Sequence, residues 1–491
     1  MSIQSALATA MSSLDMQQQQ ANVIAGNIAN ANTPGYSART LPQLELVSGS
    51  ESSSVMAGPL QRLTDETATA MANQTAGAQA YSQAMVNGLT TYTQVLGQPS
   101  DSTSLPSELS AFTSALTTLS ASPDQSSLQT GAVTAAQNLV STFNNLSAAI
   151  GSGREQADQA IASDVTTVNQ TLSQIAQNEA AMQSAASAGE SSASYLDTRD
   201  QLVSQLSSIL PVTVTSTGNG TGITITTDQG TTLWDGSVHD LSFTATPEIP
   251  SQLQVTADPS TGYTGGLSQV TVDGAPIQMS QSGDLAAQLQ LRDVTLPQFG
   301  QQLDQLATNT ITAFQQADPT VASGQTGIFT DNGAAVDPTN AATIPGMAAN
   351  IALNASVDPT QGGEAWRMVD GAQAATEGAT GDNSTVLAFV QATNTAQNYD
   401  TTSGLPGSMT LTNASSQIAG LQQASLTNWT ANNTTRGQQA QDAQTALSNA
   451  TGVNVDDELQ RLLTVQASYE ATTQVIQAAA KMLDELNQLA T

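Results

Sequence analysis

The sequence predicts an α+β protein that is mainly α. The expected architecture is an elongated, nested helical bundle with paired N- and C-terminal coiled-coil helices and an inserted antiparallel β domain. Three observations carry this. The first residues hold an apolar stripe at alternating four- and three-residue steps, Ile3, Leu7, Ala10, Leu14, Ala21, Ile24 and Ile28, with Gln17 its one polar member. The last residues hold a second stripe, Val455, Leu459, Leu462, Tyr469, Ile476, Ala480 and Leu483, with Gln466 and Thr473 as polar gaps. Between them, helical periodicity gives way over 211–283 to short alternating runs separated by Gly- and Asp-rich turns, and later to an irregular stretch over 318–410.

In chain order, residues 1–60 form the N-terminal half of the terminal coiled-coil domain. Thr33-Pro34-Gly35 ends its helix, because the residue before proline leaves the α region and glycine supplies the turn. Residues 61–210 are the first part of the bundle. Leu63 to Leu96 recur at helical steps and Gly97 closes them, and Ser122-Pro123-Asp124 opens a helix with a cap and a first-turn proline. That helix is expected to run to about Ile150 and restart after Gly151–Gly153, so five helices are predicted in this block.

Residues 211–283 read as the β domain, placed at the tip of the molecule. Its turns are Gly218-Asn219-Gly220, Asp228-Gln229-Gly230, Asp235-Gly236 and Asp273-Gly274, and its strand residues include Val214, Ile225, Leu233, Leu253 and Val272. Residues 284–317 return to the bundle as a helix. Residues 318–410, rich in Gly, Pro and Asn, read as an irregular excursion with one short helix near Thr385–Thr395. Residues 411–451 complete the bundle, and 452–491 form the C-terminal half of the coiled-coil domain.

Aromatic residues are 3% of the chain, so the predicted cores are thin layers of Leu, Ile, Val and Ala rather than aromatic centres. Net charge is −31, with Lys481 and eight arginines as the whole cation supply. That balance argues against nucleic acid or an anionic membrane as partner, since both are held by clustered cations. Cysteine is absent, which removes disulfides, thiol chemistry and Cys-based metal sites. No apolar run approaches the roughly 18 residues of a membrane span. No positive charge precedes Arg39 and no continuous apolar core follows the start, so no Sec-type signal peptide is predicted.

No catalytic, cofactor or metal site is predicted. His239, the one histidine, has no second His or Cys to build a metal or nucleophile site with. Lys481 sits among acidic neighbours as a solvated helix partner of Asp484. A glycosidase-like carboxylate pair stacks sugars on aromatics, and Trp234, Trp366 and Trp429 are dispersed. Asp456-Asp457-Glu458 lacks calcium-loop spacing and suits a helix's first turn instead. Gly218-x-Gly220-x-Gly222 leads into strands, not the helix a nucleotide loop needs. The side chains singled out are therefore those of an assembly interface: Ile3, Leu7, Leu14, Ile24, Ile28, Val455, Leu459, Leu462, Tyr469, Ile476 and Leu483. A two-helix arm cannot cover both stripes alone and is stabilised when copies pack side by side.

Specific segments carry a resemblance. The heptad helix running into Asn27-Ile28-Ala29-Asn30-Ala31-Asn32-Thr33-Pro34-Gly35-Tyr36-Ser37 resembles the N-terminal signature of bacterial flagellar rod, hook and hook-associated proteins. Gly452-Val453-Asn454-Val455-Asp456-Asp457-Glu458-Leu459, followed by Gln466-Ala467-Ser468-Tyr469-Glu470-Ala471, resembles the C-terminal end of that axial family. Tyr195-Leu196-Asp197-Thr198-Arg199-Asp200-Gln201-Leu202-Val203 narrows the resemblance to its hook-associated protein 1 branch. Gly26 stands where the family usually has Asn, and Ala38 separates Ser37 from Arg39; neither departure bears on a chemical role, and only fine packing is expected to differ. The resemblance implies a structural part of the hook–filament junction that self-associates in a ring or tubular layer. It also implies contacts with hook protein and hook-associated protein 3, and a dedicated export chaperone, FlgN, on the C-terminal helix. By the same resemblance the chain lies outside the cell in the flagellum, reached through type III export without a cleaved signal. Another axial protein, or a secreted enzyme or adhesin with a helical stalk, are the alternative classes.

Overall fold

In a computed structural model of the chain, residues 3–48, 51–217, 222–250, 267–337 and 345–489 are described. The expected turn at Gly218-Asn219-Gly220 and the strand residue Leu253 lie outside them.

Helix α1 (Ile3–Ala29) leads to four short strands, β1 (Arg39–Thr40), β2 (Gln43–Ser48), β3 (Glu51–Ala57) and β4 (Gln61–Arg62), paired β1–β4 and β2–β3, both antiparallel. Helices α2 (Glu66–Leu96), α3 (Leu105–Ala121), α4 (Ser126–Ser187) and α5 (Ala193–Ile209) follow. Asp65 and Ser104 cap α2 and α3 by accepting from backbone N–H groups three residues on. The block has four helices, not five: α4 runs unbroken through Gly151–Gly153 over 62 residues. Gly153 keeps its place there because a Cβ would press on Leu296 at 3.0 Å. At 1.5 Å per residue this helix is about 90 Å long and gives the molecule its elongation.

The β domain comprises β5 (Val212–Thr217), β6 (Gly222–Thr227) and β7 (Thr232–Trp234) in one antiparallel sheet. Strands β8 (Leu241–Ser242), β9 (Thr271–Val272) and β10 (Ala275–Pro276) form a second. Ile223, Ile225 and Thr227 alternate inward on β6. Ile223 and Ile225 share a core with Leu233, Leu241 and Val272, with Ile161, Val168 and Ile175 of α4, and with Val203 and Leu206 of α5. The domain therefore lies along the second half of α4 and is not a separate cap at the tip.

The chain returns through α6 (Asp284–Gln290), one π-helical turn (Leu291–Thr295) and α7 (Leu296–Ala317). At the π turn a buried charge network pins the β domain to the bundle. Arg292 donates from Nη1 to Asp158 Oδ1 at 2.6 Å and from Nε to Asp293 Oδ1 at 2.7 Å, and Asp158 also accepts from the Thr246 N–H. Arg154 donates to the Arg292 carbonyl, and burial pulls its guanidinium down to about 10 against the upward pull of Asp293.

Residues 318–410 hold β11 (Phe329–Asp331), α8 (Met347–Asn350), β12 (Ile351–Leu353), α9 (Arg367–Asp370), α10 (Ser384–Asn394), β13 (Gln397–Asn398) and β14 (Ser408–Met409). They are not an excursion. Ile328, Phe329, Met347, Ile351, Met368 and Phe389 are buried in the same core as α2, α3, α4 and α7. Here the expectation of purely aliphatic layers fails. Four of the seven phenylalanines meet, with Phe314 5.4 Å from Phe112, 5.3 Å from Phe329 and 5.6 Å from Phe389 between ring centroids.

Helix α11 (Leu411–Thr451) runs antiparallel to α2, as Tyr92 bonds Gln422 at 2.5 Å and Ser82 bonds Asn433 at 3.3 Å. Helix α12 (Val455–Leu489) pairs with α1. The Ala38 N–H donates to the Thr451 carbonyl beside the start of α12, while Gln17, midway along α1, reaches Ser468 and Thr472. That pairing is antiparallel as well, so the nested topology expected from the sequence is the one formed.

Candidate functional site at the joint between terminal helices and bundle

A connected polar site lies where the α1–α12 pair meets the bundle. Asn27, in the last turns of α1, is fully buried. Its Oδ1 accepts from the Tyr36 hydroxyl at 2.9 Å and from the Arg39 N–H at 3.0 Å, and its Nδ2 donates to the Arg39 carbonyl at 2.9 Å. One asparagine thereby closes the loop after α1. Gly35 makes the loop possible: its φ is +74°, and a Cβ there would run into the Gln201 side chain. Gln201 in turn donates to the Pro34 carbonyl at 2.7 Å.

From this loop two arginines reach α5. Arg39 pairs with Asp197 Oδ2 at 3.0 Å and lies over the Tyr36 ring at 4.7 Å. Arg62 pairs with Asp197 Oδ1 at 2.8 Å and with Asp200 through its Nη2. Asp197 and Arg62 have side-chain exposures of only 9% and 7%, so this is a desolvated cluster in which one carboxylate serves two guanidinium groups. Burial raises the Tyr36 hydroxyl pKa, opposed by Arg39 and reinforced by Asp197 and Glu458. Glu458, in the first turn of α12, is 3% exposed and pairs with Arg461 at 3.1 Å. The joint opens on a groove of about 1470 Å³ lined on one side by Tyr36 and Arg62 and on the other by Val212 and Val214 of β5.

The predicted assembly residues occupy the two terminal helices. Ile24 is buried, and Ile3, Leu7, Leu14 and Ile28 are half-buried. On α12, Leu462, Ile476 and Leu483 are half-buried, whereas Val455, Leu459 and Tyr469 are 39%, 45% and 49% exposed. The stripe is thus split. Leu462, Ile476 and Leu483 belong to the seam with α1, and Val455, Leu459 and Tyr469 point away from it. Asn27, Asp197 and Asp200 stand in the quoted signatures without an assigned role, and no sequence motif marks Arg62. Nor is the offset at Ala38 a matter of fine packing only: its N–H and carbonyl bond Thr451 and Leu63, and Arg39 beside it carries an ion pair. The available signal was Asp197 and Asp200 three apart on one helix face, in a chain with nine cations to forty carboxylates.

Three sequence profiles match, in order along the chain: flagella basal body rod protein over residues 7–36, flagellar hook-associated protein FlgK helical domain over 89–328, and flagellar basal body rod FlgEFG protein C-terminal over 443–489. The joint is built from all three, with Asn27 and Tyr36 in the first, Asp197 and Asp200 in the second, Thr451 and Glu458 in the third. Over its helical domain and both termini the chain is similar to flagellar hook-associated proteins. It is 29% identical over 323 residues to flagellar hook-associated protein 1 of Salmonella typhimurium, covering 62% of this chain and 55% of that protein. Against the Escherichia coli protein it is 27% identical over 319 residues, again 62% and 55%. The match thus spans about half the length of these relatives. Among solved structures, the flagellar hook junction protein FlgK from Burkholderia pseudomallei aligns with TM-score 0.43 and 21% identity over 53% of this chain and 46% of that one. The hook-associated family consists of structural proteins of the flagellum and is not an enzyme family. No helix among the described residues is long and apolar enough to cross a membrane.

Proposed function

We propose that this chain is a structural subunit of the hook–filament junction of the bacterial flagellum, required for the filament to assemble on the hook. The observation that carries the reading is the joint: family segments from both termini and from the helical domain converge on Asn27, Arg39, Arg62 and Asp197. Such a joint holds a two-helix arm at a set orientation to a rigid bundle. A tubular layer needs that, because every copy must present the arm at the same angle.

In this reading copies self-associate through the terminal helices, with Ile3, Leu7, Leu14, Ile24 and Ile28 on one and Val455, Leu459, Leu462, Tyr469, Ile476 and Leu483 on the other forming the interface. Hook protein lies on one side of the layer and hook-associated protein 3 on the other. The chain reaches this extracellular site by type III export without a cleaved signal. A chaperone of the FlgN kind covers the apolar face of α12 beforehand, since exposed Leu459, Leu463 and Tyr469 are an aggregation hazard. Electron microscopy of cells lacking the chain tests the proposal. Hooks without filaments, with monomeric flagellin in the medium, are expected; complete flagella, or missing hooks, would refute it.

A further inference from the structure

Strand β5 is an open edge. It pairs with β6 in an unbroken register, and among the described residues no strand pairs with its other side. Natural edge strands are blunted by lysine, proline or a bulge. Val212-Thr213-Val214-Thr215-Ser216-Thr217 has none of these and is exposed from Thr213 onward. Consecutive residues 211–214 border the groove at the joint, so the backbone edge faces it and not one side-chain face alone. A side-chain row also stops here. Trp234, Ile225 and Val214 stand opposite one another across β7, β6 and β5. The first two are 7% and 0% exposed, and Val214, at the end of the row, is 40% exposed.

The same chain carries a second free edge. Strand β3 lies against α1, which leaves β2 as the outer strand of its hairpin, six residues long like β5. Leu44 and Met56 stand opposite each other on this hairpin, 46% and 48% exposed. We propose that β2 of a second copy adds to the β5 edge, with its Leu44 opposite Val214. The strands then run β7-β6-β5 and, from the second copy, β2-β3. One apolar row, Trp234, Ile225 and Val214 followed by the second copy's Leu44 and Met56, crosses all five. Charge favours this seat. Residues 40–61 hold Glu45 and Glu51 and no cation, so a chain of net charge −31 repels them over most of its surface. The groove does not, because Arg62, Arg199 and Arg436 line it against Glu66, Asp200 and Asp228. The two edges are different surfaces, so the contact is heterologous and repeats from copy to copy in a ring or helix. It is separate from the terminal-helix interface proposed above.

The chain has no cysteine, so single thiols report the contact in the full-length protein. Leu44→Cys and Val214→Cys chains are purified separately, mixed and mildly oxidised, so that any 44–214 disulfide joins two copies. Thr215→Cys replaces Val214→Cys in a parallel mixture. Its side chain lies on the opposite face of β5, as successive residues of a strand do. The 44–214 dimer should exceed either like-with-like dimer by about tenfold, where random encounter gives about twofold. The 44–215 dimer should stay at the random ratio, with circular dichroism of all three variants unchanged. A 44–214 yield at the random ratio, or equal yields for 214 and 215, overturns the proposal. An excess of 214–214 dimer would show β5 pairing with β5 and overturns β2 as the occupant. None of these results touches the hook–filament role, which is read from cells.

Discussion

Arg39 and Asp197 are 158 positions apart in sequence and meet at 3.0 Å. With Arg62 on the other oxygen of the same carboxylate, this contact fixes where the paired terminal helices leave the bundle. Removing it should loosen the joint without melting the core, because the cores lie along α2, α4 and α7 and around the β domain.

Asp197→Ala leaves two arginines in a largely desolvated place without their shared partner. The local opening free energy of the amides of Ala38, Arg39 and Leu63 should fall by about 2–4 kcal/mol. Native-state hydrogen exchange reads this, with amides in the middle of α4 unchanged as the internal control.

Asp158→Ala should act globally instead. It strips the fully buried Arg292 of one carboxylate and the Thr246 N–H of its acceptor. A loss of about 3–5 kcal/mol is expected in chemical denaturation, with the β domain and bundle unfolding at lower denaturant together. Separate transitions for the two would contradict their shared core.

These two sites show how far the sequence could be read. The terminal stripes, the nested order, the β domain and the family were legible because periodicity and short signatures are local properties. The unbroken α4 was not, since Gly151–Gly153 breaks a helix in isolation and only the approach of Leu296 explains Gly153. The phenylalanine cluster was missed because Phe112, Phe314, Phe329 and Phe389 are far apart in the chain. The joint was half visible: its residues lay inside recognised signatures, but which arginine meets which aspartate is decided by tertiary geometry. The outward turn of Val455, Leu459 and Tyr469 was hidden for the same reason, as a heptad pattern gives two adjacent faces nearly equal claim.

Asp164 should make stability depend on pH. Burial first, and the Asp284 carboxylate second, push its pKa up to about 7. A carboxyl raised in the folded state favours folding while protonated, so its contribution is full below about pH 4 and is lost as pH rises through 7. Asp164→Asn should leave stability near pH 4 unchanged and raise it at pH 8 by about 1–3 kcal/mol. Denaturant midpoints across that range check the sign; a variant less stable at pH 8 would contradict it.

His239 gives a second, smaller titration. Its Nδ1 lies 2.6 Å from Asp273 and its Nε2 3.4 Å from Asp235, joining the turn after β7 to the turn between β9 and β10. The hydrogen bond to Asp273 is the main cause of its raised pKa. The clasp is complete below the ordinary histidine pKa of about 6.5 and is lost as pH rises through the raised value. The single imidazole signal in an NMR titration should move to lower pKa in Asp273→Asn; equal titration curves would remove the clasp.

The central claim is that the joint aims paired terminal helices into an inner layer of a tubular junction. A high-resolution electron-microscopy map of the hook–filament junction tests it most directly. The expected map has α1 and α12 innermost, the bundle outside them, and Val455, Leu459 and Tyr469 packed on the terminal helices of a neighbouring copy. A map with those three residues facing solvent, or with the terminal pair on the outer surface, would contradict the account.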